Sequence, residues 1–421
     1  MIQTIELLPG VVLRCWRDTR FKQGCLSFQF LRRMDSAENH LNALLPSVLF
    51  RATENYPDIR SIGWHLDDLY NVSMGPLVRQ VGDYQTVGFH ARFLDDRFCL
   101  PGESVLPGVL DFLEEVLVRP LLEDGCFVPA LVDSEKKNLV SFIESELNSK
   151  GAYAMGRLMN RMCKGDSYGL SRLGDKKDVA AIEPKQLYDH YQRVLRESPI
   201  EIFYVGSAAP ETIAEYFRTM LGSWQRDLQP LPAQTGFRGA EPGEYGEEMD
   251  VTQGKLCLGF TTPITCKDRE FAAMQMLNCI FGAGMTSKLF LNVREKLSLC
   301  YSIFSEYHSS KGVFTVGAGI DFDKEQQTRQ EIFRQLELCR QGQISEEELK
   351  SARETLCSSL RAVHDNPGAI ENYYSSSVIH GVDRTPAQYM AQIQAVTVED
   401  VIRAAQSITY HSGFFLKGVE K

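Results

Sequence analysis

Arg294 and Tyr301 stand seven residues apart in a stretch, residues 278–302, that reads NCIFGAGMTSKLFLNVREKLSLCYS. A guanidinium is a permanently charged fork of N–H donors, and a phenol is a second polar group on a stiff ring. Held together, the two can both donate to a peptide carbonyl without reading any side chain. Local patterns predict the elements that hold them. Asn278 to Phe281 close an apolar helical run, and Gly282 and Gly284 supply backbone freedom for a tight turn. Thr286 or Ser287 is placed to cap a second helix. Leu289, Phe290 and Val293 fall at helical spacing toward a core, which leaves Arg294 outside and lets Tyr301 begin a strand. GAGMTSK is not a phosphate loop, because Ser287 stands where that motif needs Gly before Lys. By residue type alone the pair is a surface arginine and a half-buried tyrosine.

The larger pattern is more specific. Gly-x-Gly-x-x-Ser (Gly282, Gly284, Ser287), then Leu-Phe, Arg-Glu-Lys and a Tyr seven residues after the Arg, resembles the second-half signature of the pitrilysin/insulinase zinc metallopeptidases. That superfamily includes mitochondrial processing peptidase. The resemblance implies that Arg294 and Tyr301 hold a substrate backbone across a chamber from a zinc ion.

The family's zinc motif, His-x-x-Glu-His, ends in a Leu-Phe-Lys-Gly-Thr-like segment that matches Leu49-Phe50-Arg51-Ala52-Thr53 here. Two histidines one helical turn apart bind zinc, and the Glu activates water. Counting back puts Ala43, Pro46 and Ser47 at those three positions, and none of them ligates zinc in that way. Pro46 also removes a helical N–H. Phe142 takes the place of the family's third ligand, a Glu, with Glu144 and Glu146 close by. His40 and His65 have no histidine at helical spacing and read as polar surface or cap residues. The resemblance therefore implies a degenerate zinc site, with no catalytic residue and no metal in this chain.

The 421 residues are 43% hydrophobic and 24% charged, as expected of a globular protein with room for two domains. A net charge of −10 argues against a nucleic-acid binder. No run approaches the ~20 apolar residues of a membrane span, and the start MIQTIELLPGVVLRCWRDTR lacks a secretory core. Eleven scattered cysteines with no Cys-x-x-Cys pair fit reduced thiols in the cytoplasm, serving as small apolar core residues.

Along the chain, 11–18 and 25–32 alternate as strands joined by a polar turn at Lys22–Gly24, and a helix follows from about Asp35 to Thr53. A second helix carries Asp67-Asp68-Leu69-Tyr70. Strands are expected around 77–80 and 86–93, helices from Pro107 and over 132–162 with a break near 148–151, then a helix at 184–195 and a buried strand ending in Gly206. Residues 223–253, with several prolines and the acidic run EYGEEMD, read as a linker. The second half then repeats the first at an offset of about 210–225 residues, too long for a solenoid repeat. LCLGFTT matches CLSFQFL, and GFFLKG matches IEIFYVG.

The fold class expected is α+β: half-domains 1–222 and 254–421, each a mostly antiparallel sheet covered by helices on one side. The clam-shell arrangement of the two halves is implied by the resemblance. So is the function: an inactive, zinc-less subunit that binds peptide and completes the active site of a zinc-bearing homologous partner, with zinc in the partner only. The second helix and the missing motif look closest to the silent partner of a paired bacterial peptidase, of the type labelled as associated with elongation factor P modification. A stand-alone peptide-binding or scaffold protein, alone or as a homodimer, is the alternative. A hydrolase with another nucleophile has no local Ser or Cys signature behind it.

Overall fold

Strands with alternating apolar residues and helices with one apolar stripe bury those surfaces against each other. The computed structural model describes residues 2–231 and 235–419, so residues 232–234 of the stretch read as a linker lie outside it. The first half begins β1 (Gln3–Leu8), β2 (Val11–Arg17), β3 (Gln23–Arg33), α1 (Asn39–Leu49), α2 (Ile59–Asp68), β4 (Ser73–Val81), β5 (Tyr84–Leu94) and α3 (Leu106–Val118). It continues with α4 (Pro129–Glu146), α5 (Lys150–Met162), α6 (Pro184–Glu197), β6 (Ile200–Gly206) and α7 (Pro210–Leu221). The second half opens with β7 (Gly243–Met249), β8 (Gly254–Thr261), α8 (Phe271–Phe281), β9 (Ser302–His308) and β10 (Val313–Ile320). It closes with α9 (Glu325–Arg340), α10 (Glu346–Ala362), α11 (Pro367–Ile379), α12 (Pro386–Ala395), α13 (Val398–Gln406) and β11 (Thr409–Gly418).

These elements form two compact units that are not consecutive in sequence. One holds Met1–Ile143, Leu170–Ala233 and His364–Ile379; the other holds Glu144–Gly169, Gln234–Val363 and His380–Lys421. Helix α5, from the first half of the chain, belongs to the second unit. Helix α11, from the second half, belongs to the first.

In the first unit the strand order is β1-β2-β6-β3-β5-β4, antiparallel except for β2–β6. Strand β6 lies between β2 and β3, so the turn at Lys22–Gly24 closes no hairpin. Leu26, Phe28 and Phe30 of β3 enter a core with α1, α3, α6 and α7. Ser27 and Gln29 alternate to the other face. There they donate to Glu371 Oε1 of α11, at 2.8 and 3.0 Å. Arg79 of β4 closes on the same carboxylate at 3.0 to 3.2 Å.

In the second unit the order is β9-β10-β8-β11-β7, antiparallel except for β11–β7. Phe260 of β8 meets Phe333 of α9 on one face, with ring centroids 6.0 Å apart. Cys257 clusters with Ala154 and Leu158 of α5 on the other face. Gly259 has no room for a side chain, since a Cβ there would come 2.6 Å from Met162 Sδ. Behind α5, buried Lys311 pairs with buried Asp166 at 3.0 Å. Each sheet therefore carries helices on both faces, and cover on one side only is corrected: the exchanged helices α5 and α11 occupy the second faces. The acidic end of the 223–253 stretch is an edge strand, β7, whose Glu247 accepts from Tyr153 and Arg157 of α5, each at 2.7 Å.

Candidate functional site

Every residue of α8 except Gln275 is buried, and the helix stops at Gly282, whose N–H reaches Asn278 O at 3.0 Å. A Cβ on Gly282 would lie 2.6 Å from Ser305 Oγ and 2.8 Å from Leu289 Cδ1, so strand β9 packs directly against this backbone. Ser305 seals the join by donating to Asn278 Oδ1 at 2.7 Å. Gly284 has open space at its Cβ and no left-handed φ, so the turn does not require glycine there. Ser287 is buried and accepts the Phe290 N–H at 3.3 Å. Thr286 instead meets the Ser351 hydroxyl at 3.1 Å.

The second helix differs from expectation. Leu289–Lys296 is π-helical, and the Leu297 N–H reaches five residues back to Asn292 O at 3.1 Å. Such wide turns are rare and concentrate at functional sites. Leu289 and Val293 are buried as expected, whereas Phe290 is only half-buried and lies under the Arg294 guanidinium, 4.6 Å from its centroid. Beyond the π-helix, Ser298 takes a φ of +51°, sparsely populated for a residue with a Cβ.

This backbone brings Arg294 and Tyr301 together. Arg294 Nε donates to the Tyr301 carbonyl at 3.0 Å, and Nη1 pairs with Glu295 at 3.3 Å. Among the described residues Nη2 meets no acceptor. Tyr301 N–H makes the first rung to β10, bonding Gly319 O at 2.8 Å. Its ring is 60% exposed, and its hydroxyl donates to Asp321 Oδ1 at 2.9 Å. That bond and the Asp321 charge push the phenol pKa up. Lys324 pairs with the same aspartate at 3.3 Å and donates to Ser298 O at 3.2 Å.

The polarity differs from the reading in which both groups donate. Tyr301 donates its O–H to Asp321, so its oxygen is left as an acceptor, while Arg294 offers donors. A C=O and an N–H of one extended backbone complement that pair. Asp321 is the residue that sequence reasoning missed. Its signal was a carboxylate placed directly after the buried strand GVFTVGAGI.

The positions aligned with a zinc motif are in the other unit. Ala43 is buried in α1, Pro46 lies inside the helix, and Ser47 is half-buried. Phe142 is an exposed residue of α4, with Glu144 and Glu146 at its exposed end. Ala, Pro and Phe carry no side-chain ligand atom and Ser47 offers only a hydroxyl, so these residues do not fit zinc. No group of three or more His, Cys, Asp or Glu among the described residues is placed to hold a metal ion. His40 is buried against Gly174, where a Cβ would come 2.5 Å from its own Cβ, and burial lowers its pKa. His65 meets the Tyr56 hydroxyl at 3.1 Å and packs on Phe112.

Comparison with known proteins agrees with this geometry. Residues 181–356 match the family described as the Peptidase M16 inactive domain. The chain is 29% identical over 415 residues to the "Probable inactive metalloprotease YmfF" of Bacillus subtilis, covering 98% of this chain and 96% of that one. It is 31% identical over 298 residues to an "Uncharacterized zinc protease" of Rickettsia felis, covering 69% of this chain and 71% of that one. The crystal structure of a conserved protein from Enterococcus faecalis superposes with a TM-score of 0.89 at 27% identity, covering 100% of this chain and 99% of that one. This chain belongs to the M16 peptidase family as an inactive-type homologue.

Proposed function

We propose that this chain is the non-catalytic, peptide-binding subunit of a two-chain M16 peptidase in the cytoplasm. In this reading a zinc-bearing homologue supplies metal, general base and water, and the present chain supplies Arg294 and Tyr301. The observation that carries it is the contrast between the two halves of the family's machinery. In our alignment the zinc-motif positions keep at most the Ser47 hydroxyl, while Arg294 is partly exposed and bonded to the Tyr301 carbonyl, and Tyr301 is exposed and braced by Asp321.

Strand β9 supports the same reading. It pairs with β10 on one side, and no strand among the described residues takes its other edge, where the Ser305 N–H bonds Gly282 O at 3.1 Å and the rest of the edge pairs with no strand. Such an edge accepts an extended peptide through main-chain hydrogen bonds. Phe304 of β9, Met285, Leu291 and Leu297 are exposed apolar residues of the same segment and offer contacts to substrate side chains.

The test is peptidase activity on a quenched peptide library with zinc added. The chain is assayed alone and after co-expression with a His-x-x-Glu-His homologue from its own genome. Activity in the mixture only, lost with Arg294→Ala, is expected. Chelator-sensitive activity from the chain alone would overturn the reading. Silence in both, with no complex on a sizing column, would favour a stand-alone scaffold.

A further inference from the structure

Helix α2 presents a face that no described residue of its own unit covers. Ile62 and Leu66 are buried beneath it, and Asp58 caps its start through the Ser61 N–H at 2.8 Å. Arg60, Trp64, Asp67 and Asp68 recur at i, i+4, i+7 and i+8 and line up on the opposite side. Trp64 is 63% exposed, although tryptophan is the costliest side chain to leave in water. Gly63 beside it is a second anomaly. A Cβ there would meet nothing within 4 Å, and its φ is not left-handed. Glycine inside an exposed helix costs roughly 0.5–1 kcal/mol relative to alanine, and nothing in this chain requires it.

The charges identify the occupant. Arg60 lies one turn before Trp64, and Asp67 and Asp68 lie one turn after it. A two-fold axis through Trp64 would run a second α2 antiparallel to the first. It would set Arg60 of each copy against Asp67 and Asp68 of the other, with the two Trp64 rings packed at the centre over Gly63. A sequence of charges that is self-complementary under reversal is what an isologous contact needs. Tyr70 ties another apolar group to the end of this helix: its hydroxyl accepts the N–H of Leu100, which is exposed.

We propose that α2 is a self-association surface, pairing this chain with a second copy of itself through an antiparallel α2–α2 contact centred on Trp64. A helix of ten residues buries a small area, so the contact belongs to the weak, reversible class, with a dissociation constant in the micromolar range.

Sedimentation velocity across a concentration series tests it with two charge variants. Arg60→Asp makes the face wholly acidic, and Asp67→Arg with Asp68→Arg makes it wholly basic. Each variant alone is expected to associate at least about tenfold more weakly than the wild type. An equimolar mixture of the two is expected to recover the dimer, because only unlike copies then match. Trp64→Glu should abolish it in every combination. All the altered positions are exposed, and circular dichroism verifies that each variant folds. A wild type that stays monomeric to high concentration, or charge variants that associate as the wild type does, would overturn the proposal. So would a mixture that stays monomeric while the wild type dimerises.

Discussion

Glu371→Ala tests how an exchanged helix is held. The Glu371 side chain is 1% exposed and accepts from Ser27, Gln29 and Arg79 in the first unit. Removing it leaves the fully buried Ser27 hydroxyl without its acceptor, leaves Gln29 with only its 3.0 Å bond to Ser27 Oγ, and deprives Arg79 of its counter-charge. Breaking a buried ion pair from one side costs about 3–5 kcal/mol. The Arg79 side chain is 27% exposed and keeps part of its hydration, which brings the expectation to about 2–4 kcal/mol. At about 2–4 °C per kcal/mol for a unit of this size, the melting temperature should fall by roughly 5–15 °C. Trp16 supplies a local assay, because its ring lies 5.2 Å from His364 and 5.8 Å from Tyr374, both in the exchanged segment. In a Trp64→Phe/Trp224→Phe background its emission should redden at lower urea in the Glu371→Ala variant. Replacing Arg79 by Leu together with Glu371 by Leu should recover much of the loss, since no charge is then left unpaired. A loss under about 1 kcal/mol, or a double variant no better than the single one, would refute this account.

The other expectations concern smaller sets of residues. Gly282→Ala should destabilise by about 1–3 kcal/mol in urea unfolding, because Ser305 and Leu289 occupy the space of the new methyl. Gly63→Ala, with open space around it, should instead stabilise by about 0.5–1 kcal/mol. Burial and the neighbouring Arg193 hold the His190 pKa down at about 3, against 6.5 unperturbed. The unfolded chain therefore binds the extra proton below pH 6.5, so stability should fall with pH from about 6.5 toward 3, by up to about 1.4 kcal/mol per unit. His190→Gln should flatten that slope in unfolding curves. Under native conditions iodoacetamide should label Cys99 and Cys126, which are partly exposed, well before the other nine of the eleven cysteines. Burial raises the Cys15 thiol to about 12, and mass spectrometry should find it unlabelled until the chain unfolds.

Local chemistry made much of the fold legible. Periodicity and capping residues marked many of the strands and helices of both halves, because those signals act within a few residues of one another, whereas β1, α9, α11 and α12 had no such reading. Pro107 sits in the first turn of α3, and Ser345 caps α10 through the Glu348 N–H at 3.1 Å. The meeting of Arg294 and Tyr301 was likewise foreshadowed by residue types at fixed spacing. The β7 strand was not, because GEYGEEM has no apolar alternation and becomes a strand only by pairing with β11.

Tertiary structure alone decided the rest. The sequence carries no mark that α5 packs under the second sheet or α11 under the first, since α5 reads as an ordinary amphipathic helix, residues 367–379 carry no apolar stripe, and the partners of both lie far off in the chain. Nor does it tell that Leu289–Lys296 widens to a π-helix, because Leu289 and Val293 satisfy an α-helical pattern equally well. The polarity of the candidate site is the sharpest case. A tyrosine in a sequence is both donor and acceptor, and only the arrival of Asp321 from the end of β10, 2.9 Å away, engages its O–H as donor and leaves the oxygen free to accept.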